Sequence, residues 1–191
     1  MSHDRPRISP LPESEWSDDL RRLFEPTRAL SGDRVFNVFT TLARHPKLLQ
    51  RWMVFANHVL AKSTLSARDR ELLILRIAWL CQSEYEWAQH AVIARLSDID
   101  AAEIDRVRLG PDDSAWSPHD AALLRAADEL HAQAKISDAT WSELAKTHDE
   151  AQLLDLIFTV GQYNLVAMFL NSAGVELDPG LTGFGAPSPK S

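Results

Sequence analysis

Residues 71–90 read ELLILRIAWLCQSEYEWAQH and give the strongest indication of the fold class. Its first part, 72–80, is apolar almost all round, which predicts a buried central helix rather than a surface helix. A break near Gln82 separates this helix from a second one that begins at about Ser83. Beyond this stretch, apolar residues recur every three or four positions, strand-like alternation is absent and glycine is scarce. The sequence therefore predicts an all-α protein.

Periodicity and capping signals predict helices along most of the chain. The predicted ranges are 13–29, 36–43, 47–62, 66–81, 83–96, 100–108, 117–135, 138–147 and 150–173. Two starts are well marked: Ser117 precedes Pro118, and Asp100 is followed by Glu103 at the spacing of a capping box. The ends, 1–12 and 178–191, are rich in proline, glycine or polar residues, so we expect irregular tails there.

Composition excludes several classes of function. With 191 residues and 45% apolar content, the chain has the size and composition of one globular domain. Its 20 Lys and Arg against 27 Asp and Glu give a net charge of −7, which argues against binding to nucleic acid or an anionic membrane. Cys81 is the only cysteine, which excludes an internal disulfide, a CxxC redox pair and cysteine-rich zinc sites.

The two ends of the chain lead to predictions of cellular location and oligomeric state. The first ten residues, MSHDRPRISP, are too polar for a secretory signal, and no apolar run is long enough for a membrane span, so we expect a cytoplasmic protein. The helix at 150–173 is more apolar than a lone monomer of this size readily covers. This predicts a homo-oligomer, without choosing between a trimer and a hexamer.

The chemistry-bearing residues lie in the same stretch, 71–90. Glu86 and His90 are four positions apart, so both project from one face of a helix. A carboxylate beside an imidazole orients the ring and supports proton transfer near neutral pH. Glu71 lies in the apolar helix just before them. These three residues are the candidate catalytic groups.

Each of these residues also has a purely structural interpretation. Ser83 and Glu86 have the spacing of a capping box, which would explain both without catalysis. His90 could be a hydrogen-bonded histidine between two helices, and Glu71 could pair with Arg68 or Arg70. The sequence alone leaves these alternatives open.

A resemblance to a known family adds to these patterns. The spacing Glu71-x11-Ser83-x2-Glu86-x3-His90 resembles the signature of the carboxymuconolactone decarboxylase and alkylhydroperoxidase D superfamily, whose redox branch carries Glu-x11-Cys-x2-Cys-x3-His. Residues 65–72 (LSARDREL), 84–90 (EYEWAQH) and 161–164 (GQYN) are similar to the decarboxylase-like members. The resemblance covers residues 35–175, which implies one domain over 1–191 with that core.

The resemblance implies a compact orthogonal helical bundle of the alkylhydroperoxidase D-like type, which is oligomeric. It also implies cofactor-free loss of carbon dioxide from a small lactone or oxygenated carboxylic acid. Ser83 and Glu86 replace the two cysteines of the redox branch, so thiol–disulfide exchange of that kind is excluded. Cys81 has no second thiol and is expected to be a small buried hydrophobe.

Within this family His90 would be the general acid or base and Glu86 would orient it. Because Glu86 lies in the first helical turn, the helix dipole should favour its ionised form. An anionic substrate needs a local cation, for which Arg76 is the candidate, unless Arg76 only forms a salt bridge to Glu71 or to a carboxylate such as Asp155.

Three more residues complete the predicted substrate site. Ser83 and Trp87 lie beside the catalytic pair, and the resemblance places His45 near the site entrance. The histidines elsewhere, among them His119 and His148, do not cluster in sequence, so no metal and no cofactor are predicted. An isomerase or hydrolase that uses the same pair, or a non-catalytic scaffold that binds a small ligand, remains an alternative.

Overall fold

Helices make up the regular structure of the chain. A computed structural model describes residues 6–185; the predictions for 1–5 and 186–191 lie outside the described residues. No strand occurs between residues 6 and 185, so the all-α prediction is confirmed. The helices are α1 (Asp18–Ser31), α2 (Asn37–Leu42), α3 (Pro46–Asn57, continued by a π-helical turn, His58–Lys62), α4 (Ala67–Leu80), α5 (Glu84–Arg95), α6 (Ala101–Val107), α7 (Pro118–Gln133), α8 (Asp138–Leu144) and α9 (Glu150–Ala173).

The two helix starts predicted from capping signals are confirmed. The Ser117 hydroxyl accepts from the Asp120 amide at 3.0 Å, and Asp100 and Glu103 form the predicted capping box at the start of α6. The first helix is an exception, because a helix was predicted from residue 13. Ser17 caps α1 instead, and residues Glu13–Glu15 form only a short 3₁₀ turn before it.

The central helix is α4. All of its residues from Glu71 to Ala78 are buried, as its all-round apolar pattern predicted, and it packs against α5, α7 and α9. Two charged residues, Glu71 and Arg76, are therefore held inside the protein, where each needs a partner of opposite charge or a hydrogen-bond network.

The chain reverses direction between α4 and α5. Cys81 ends α4, and Gln82 adopts a left-handed conformation with φ of 52°, after which Ser83 leads into α5. This tight connection lays α5 back along α4. As a result His90 on α5 lies opposite Glu71 on α4.

The segment after α9 makes hydrogen bonds to both α2 and α5. α9 ends at Gly174, whose φ of 68° is left-handed and suits glycine. The Asp178 side chain is buried. It accepts hydrogen bonds from the Asn37 backbone N–H at 3.0 Å, from Gln89 Nε2 at 2.8 Å and from the Tyr85 hydroxyl. One carboxylate thereby links α2 to α5.

Helix α9 has one buried side and one exposed side. By length and composition it could span a membrane, yet half of its most apolar window is buried within the fold, which is typical of a core helix. Its exposed side carries a continuous row of apolar or small residues at alternating spacings of four and three. We call this row the α9 seam; it consists of Leu154, Phe158, Gly161, Leu165 and Met168.

Replacing Asp178 with alanine should lower the free energy of unfolding by about 2–4 kcal/mol, because several donors lose a charged acceptor away from water. Urea denaturation followed by circular dichroism measures the change. Asp112→Ala is the matched control, since the Asp112 side chain is 84% exposed, and it should cost less than about 0.5 kcal/mol. Equal effects of the two substitutions would contradict the role assigned to Asp178.

Candidate active site

A buried carboxylate–imidazole pair forms the centre of the site. Glu71 Oε2 lies 2.7 Å from His90 Nδ1, and Arg70 Nε donates to Glu71 Oε1 at 3.0 Å. Burial alone would raise the pKa of Glu71, but the charge and hydrogen bond of His90, followed by those of Arg70, outweigh it and lower that pKa. Glu71 is therefore an ionised carboxylate with a partner on each oxygen.

His90 is the member of this pair that lines a cavity. Its ring packs edge-on against Tyr163, with 4.8 Å between ring centroids, and both residues line the cavity. Because Glu71 holds Nδ1, Nε2 is the ring nitrogen left to exchange a proton with a bound molecule. Glu71 itself lies behind His90 and does not line the cavity.

Glu86 lies one turn before His90 on α5 and also lines the cavity. Only 2% of its surface is exposed, and neither carboxyl oxygen has a hydrogen-bond partner among the described residues. This burial raises the pKa of Glu86 well above its usual value and therefore favours the neutral carboxylic acid. The expectation that the helix dipole keeps Glu86 ionised is wrong, because desolvation is the larger effect.

The orienting role predicted for Glu86 belongs to Glu71. Glu86 makes no contact that would orient the imidazole, whereas Glu71 binds it directly. The predicted capping box also fails: the Ser83 hydroxyl makes no cap hydrogen bond and has no described partner. The chain reverses too tightly at Gln82 for Ser83 to adopt a regular capping geometry; its φ and ψ are −90° and 89°.

The cavity has a volume of about 470 Å³ and is mostly apolar. It lies between α5 and α9 on one side and α1, α2 and α3 on the other. Most of its polar groups come from α5 and α9, namely Tyr85, Glu86, Gln89, His90, Gln162 and Tyr163; Thr27 of α1 and Asn57 of α3 also line it. Within the described part of the chain, no Lys or Arg lines it.

Arg76 does not reach this cavity. Its guanidinium forms two hydrogen bonds to Asp128, at 2.5 and 3.0 Å, and donates to the Val107 carbonyl at 2.8 Å. A buried guanidinium needs such compensation, and α7 supplies it through Asp128 rather than through Glu71 or Asp155. The prediction that Arg76 lies at the substrate site is thus not met.

The other predicted substrate-binding residues also lie outside the cavity lining. Trp87 packs against Trp79 and Phe184, with the Arg108 guanidinium 4.9 Å from its ring. Ser83 is buried at the turn between α4 and α5. His45 is exposed and caps α3, where its Nδ1 accepts from the Leu48 amide at 3.4 Å.

Sequence reasoning missed Tyr163 and Gln162 as site residues. Both belong to the GQYN segment that carries part of the family resemblance, so that segment was the available signal. Burial, and then the negative charge of Glu71, raises the pKa of Tyr163 well above its usual value. Tyr163 therefore presents a neutral phenol beside His90.

Cys81 has the properties of a structural residue. Its thiol donates to Asn164 Oδ1 at 3.1 Å, and it does not line the cavity. Burial raises the pKa of Cys81 to about 11. A thiol with this pKa carries little thiolate at neutral pH, which disfavours a peroxidase mechanism.

Comparison with protein families finds a match, which includes the site. Residues 46–129 match the carboxymuconolactone decarboxylase family, and the matched region contains Glu71, Glu86 and His90. Together with the pattern of Glu71, Ser83, Glu86 and His90, this match supports the resemblance to the carboxymuconolactone decarboxylase and alkylhydroperoxidase D-like superfamily. No curated protein matches the chain.

Several solved structures share the fold. A peroxidase-related protein with an alkylhydroperoxidase AhpD core from Ralstonia eutropha JMP134 is 22% identical, with a TM-score of 0.80 over 90% of this chain and 93% of that one. A peroxidase-related protein from Silicibacter sp. TM1040 is 19% identical, with a TM-score of 0.76 over 93% and 92%. The debrominase Bmp8, in complex with 2,3,4-tribromopyrrole, is 12% identical, with a TM-score of 0.76 over 92% and 94%.

Replacing Glu86 with glutamine should change how stability depends on pH. The unfolded chain ionises Glu86 near its usual pKa while the folded chain keeps it protonated, so unfolding releases a proton. The wild-type free energy of unfolding should therefore fall as pH rises above about 5, by at most about 1.4 kcal/mol per pH unit. Glu86→Gln should remove this slope, as measured by urea denaturation from pH 4 to 8.

Glu84→Gln is the control for this experiment, because Glu84 lies in the same turn but is exposed. It should leave the slope of the wild type in place. A Glu86→Gln curve parallel to the wild-type curve would mean that Glu86 is ionised in the folded protein.

Proposed function

We propose that the protein is a cofactor-independent lyase of the carboxymuconolactone decarboxylase type, which removes carbon dioxide from a small lactone or oxygenated carboxylic acid. The observation that carries the proposal is the Glu71–His90 hydrogen bond of 2.7 Å beside a cavity that also holds the neutral carboxyl of Glu86. Acid–base catalysis commonly uses two such groups with different protonation states at one cavity, here His90 and Glu86.

In this proposal His90 supplies the local positive charge. The ionised Glu71 stabilises an imidazolium, whose Nε2–H can hold an anionic oxygen of the substrate. Such a cation is needed because no Lys or Arg of the described chain lines the cavity. His90 thereby takes the role predicted from the sequence for Arg76.

Glu86 then acts as the proton donor to carbon. The bond between the carboxylate and a carbon conjugated to a carbonyl breaks, and its electron pair passes into that carbonyl to give an enolate as carbon dioxide leaves. The Glu86 proton goes to the carbon, and the Nε2–H of His90 stabilises the enolate oxygen. A proton from solvent restores Glu86, so the net reaction consumes one proton.

The size of the cavity suits a small substrate. Its 470 Å³ lies within the range of small-molecule sites, and its walls are mostly apolar, with polar groups concentrated at α5 and α9. The debrominase Bmp8, which shares the fold, binds 2,3,4-tribromopyrrole, a single substituted ring. A lactone ring of similar size suits the cavity of the present protein.

A second candidate function is isomerisation of a neutral lactone or enone by proton transfer. The cation-free lining favours it, because a neutral substrate needs no counter-ion. In this case neutral His90 removes a proton from carbon through Nε2 and Glu86 donates a proton to the substrate. The products distinguish the candidates, since only the lyase releases carbon dioxide.

Removing the imidazole should abolish most of the activity on 4-carboxymuconolactone. His90→Ala should lower kcat/KM by ~10²–10³-fold, the range for loss of a group that stabilises a developing oxyanion. Glu71→Gln should cost less, ~10–10²-fold, because the amide can still contact the ring but no longer stabilises its charge. Carbon dioxide release measures the lyase reaction, and NMR of the same mixture detects an isomer.

His131→Ala is the control, since His131 is exposed on α7 outside the cavity, and it should keep wild-type activity. Full activity of His90→Ala on a substrate that the wild type turns over would contradict the proposed site. Binding of the lactone without either product would favour the ligand-binding scaffold instead.

The α9 seam supports self-association of the protein. Its residues alternate in spacing between four and three, which is the period of helices that pack along a seam. Gly161 lies at its centre, with open space above its Cα, so another helix can approach closely there. An antiparallel copy would oppose Leu154 to Met168 and Phe158 to Leu165. The seam is therefore self-complementary, as an isologous interface requires, and we propose that a second copy covers it.

An aspartate in the seam should prevent this assembly. Pairing across a two-fold axis gives even-numbered assemblies, so it favours a hexamer over a trimer. Light scattering at micromolar concentration should show an oligomer for the wild type and a smaller species for Phe158→Asp. Leu109→Asp, at a residue that is 62% exposed away from the seam, should leave the mass unchanged. A monomeric wild type would contradict the proposal.

A further inference from the structure

A second cluster of ionisable groups lies apart from the cavity. Asp69 in the first turn of α4, His119 in the first turn of α7 and His148 between α8 and α9 converge there. His119 Nε2 lies 3.1 Å from Asp69 Oδ1, and His148 Nε2 lies 3.5 Å from Asp69 Oδ2. None of the three lines the cavity, and the proposed reaction uses none of them.

The hydrogen bond behind His148 sets its tautomer. His148 Nδ1 lies 3.2 Å from the Leu144 carbonyl oxygen, which can only accept, so Nδ1 carries the proton. In the neutral ring Nε2 then has a lone pair, and it faces a carboxylate oxygen of Asp69. Two acceptors that face each other in a buried place require a cation between them.

Both imidazoles are held in the same way. The two rings are parallel within 6°, and Thr147 Oγ1 lies 3.1 Å from His119 Nδ1 and 3.2 Å from His148 Nδ1. Contacts to the rear nitrogen are what orient metal-binding histidines in proteins. Both Nε2 atoms therefore face the Asp69 carboxylate.

The charge and exposure of the cluster suit a bound cation. Between residues 6 and 185, no Lys or Arg forms a salt bridge with Asp69. Its ion-pair partners there are His119 and His148. The His148 side chain is 2% exposed and that of Asp69 14%, whereas His119 is 33% exposed. The cluster is thus closed on the His148 side and open to solvent beside His119.

We propose that Asp69, His119 and His148 bind a divalent transition-metal ion of the zinc class. A tetrahedral ion bound at about 2.0–2.2 Å spaces its donor atoms about 3.3–3.5 Å apart. The distance from His148 Nε2 to Asp69 Oδ2, 3.5 Å, fits this spacing, and the distance from His119 Nε2 to Asp69 Oδ1, 3.1 Å, is slightly shorter. The two histidine nitrogens lie within 4.8 Å of each other, and a tilt of the partly exposed His119 ring closes the remaining gap. Water completes the coordination.

The ion would act as a structural clamp. It would join the starts of α4 and α7 to the connection that leads into α9. The sequence prediction of no metal missed this site because its three residues are far apart in the chain and form no motif. Only the packing of α4, α7 and α9 brings them together.

Metal titration of the untagged, EDTA-treated full-length chain tests the proposal. Calorimetry with Zn²⁺ should give one equivalent of tight binding, and Co²⁺ should give the visible absorption of a four-coordinate ion. Saturating Zn²⁺ should raise Tm by ~5–10 °C. His119→Ala and Asp69→Asn should each lower the affinity at least ~10²-fold while circular dichroism shows intact helices.

His58→Ala is the matched control, because His58 also pairs with an aspartate, Asp155, at 3.0 Å, but lacks a second imidazole. It should bind Zn²⁺ like the wild type. Failure of the wild type to bind Zn²⁺ or Co²⁺ at 1:1 stoichiometry would overturn the proposal. So would unchanged affinity in His119→Ala. A Tm that rises on acidification but does not respond to metal would identify a proton as the cation instead.

Discussion

The burial of Glu71 in the central helix is the constraint on which the site depends. A carboxylate with no exposed surface is stable only when other groups compensate its charge. Arg70 compensates it from the adjacent position and His90 from α5, and the second contact requires α5 to return along α4. The left-handed Gln82 and the tight connection after Cys81 allow that return. The same hydrogen bond that satisfies Glu71 turns the His90 ring towards the cavity.

Two glutamates of this site have opposite protonation states because their surroundings differ. Glu71 has hydrogen-bond partners in Arg70 and His90, whereas Glu86 has none among the described residues and lies against apolar walls. Desolvation therefore keeps the proton on Glu86 while electrostatic attraction removes it from Glu71. A proton donor and a charge-stabilised imidazole thus face one cavity without any bound cofactor in the proposed reaction.

Local sequence signals predicted the helices well, because their information lies within a few residues. Ser117, Asp100 and the all-round apolar α4 are examples, and the family pattern led to Glu71, Glu86 and His90. The ion-pair and hydrogen-bond partners of the buried side chains were less predictable, because they depend on tertiary packing. Arg76 pairs with Asp128 on α7, and Glu71 rather than Glu86 holds His90, although Glu86 is nearer in sequence. The cluster of Asp69, His119 and His148 carries no sequence motif at all.

Measuring the protonation state of Glu86 tests the proposed chemistry most directly. Carbon-13 NMR of protein labelled at the glutamate side-chain carboxyl reports it at pH 7, with the resonance assigned from its loss in Glu86→Gln. We expect one glutamate carboxyl in the chemical-shift range of the protonated acid, and we expect this signal to belong to Glu86. A Glu86 resonance in the carboxylate range at pH 7 would contradict the proposed chemistry, because the cavity would then hold no carboxylic acid to protonate carbon.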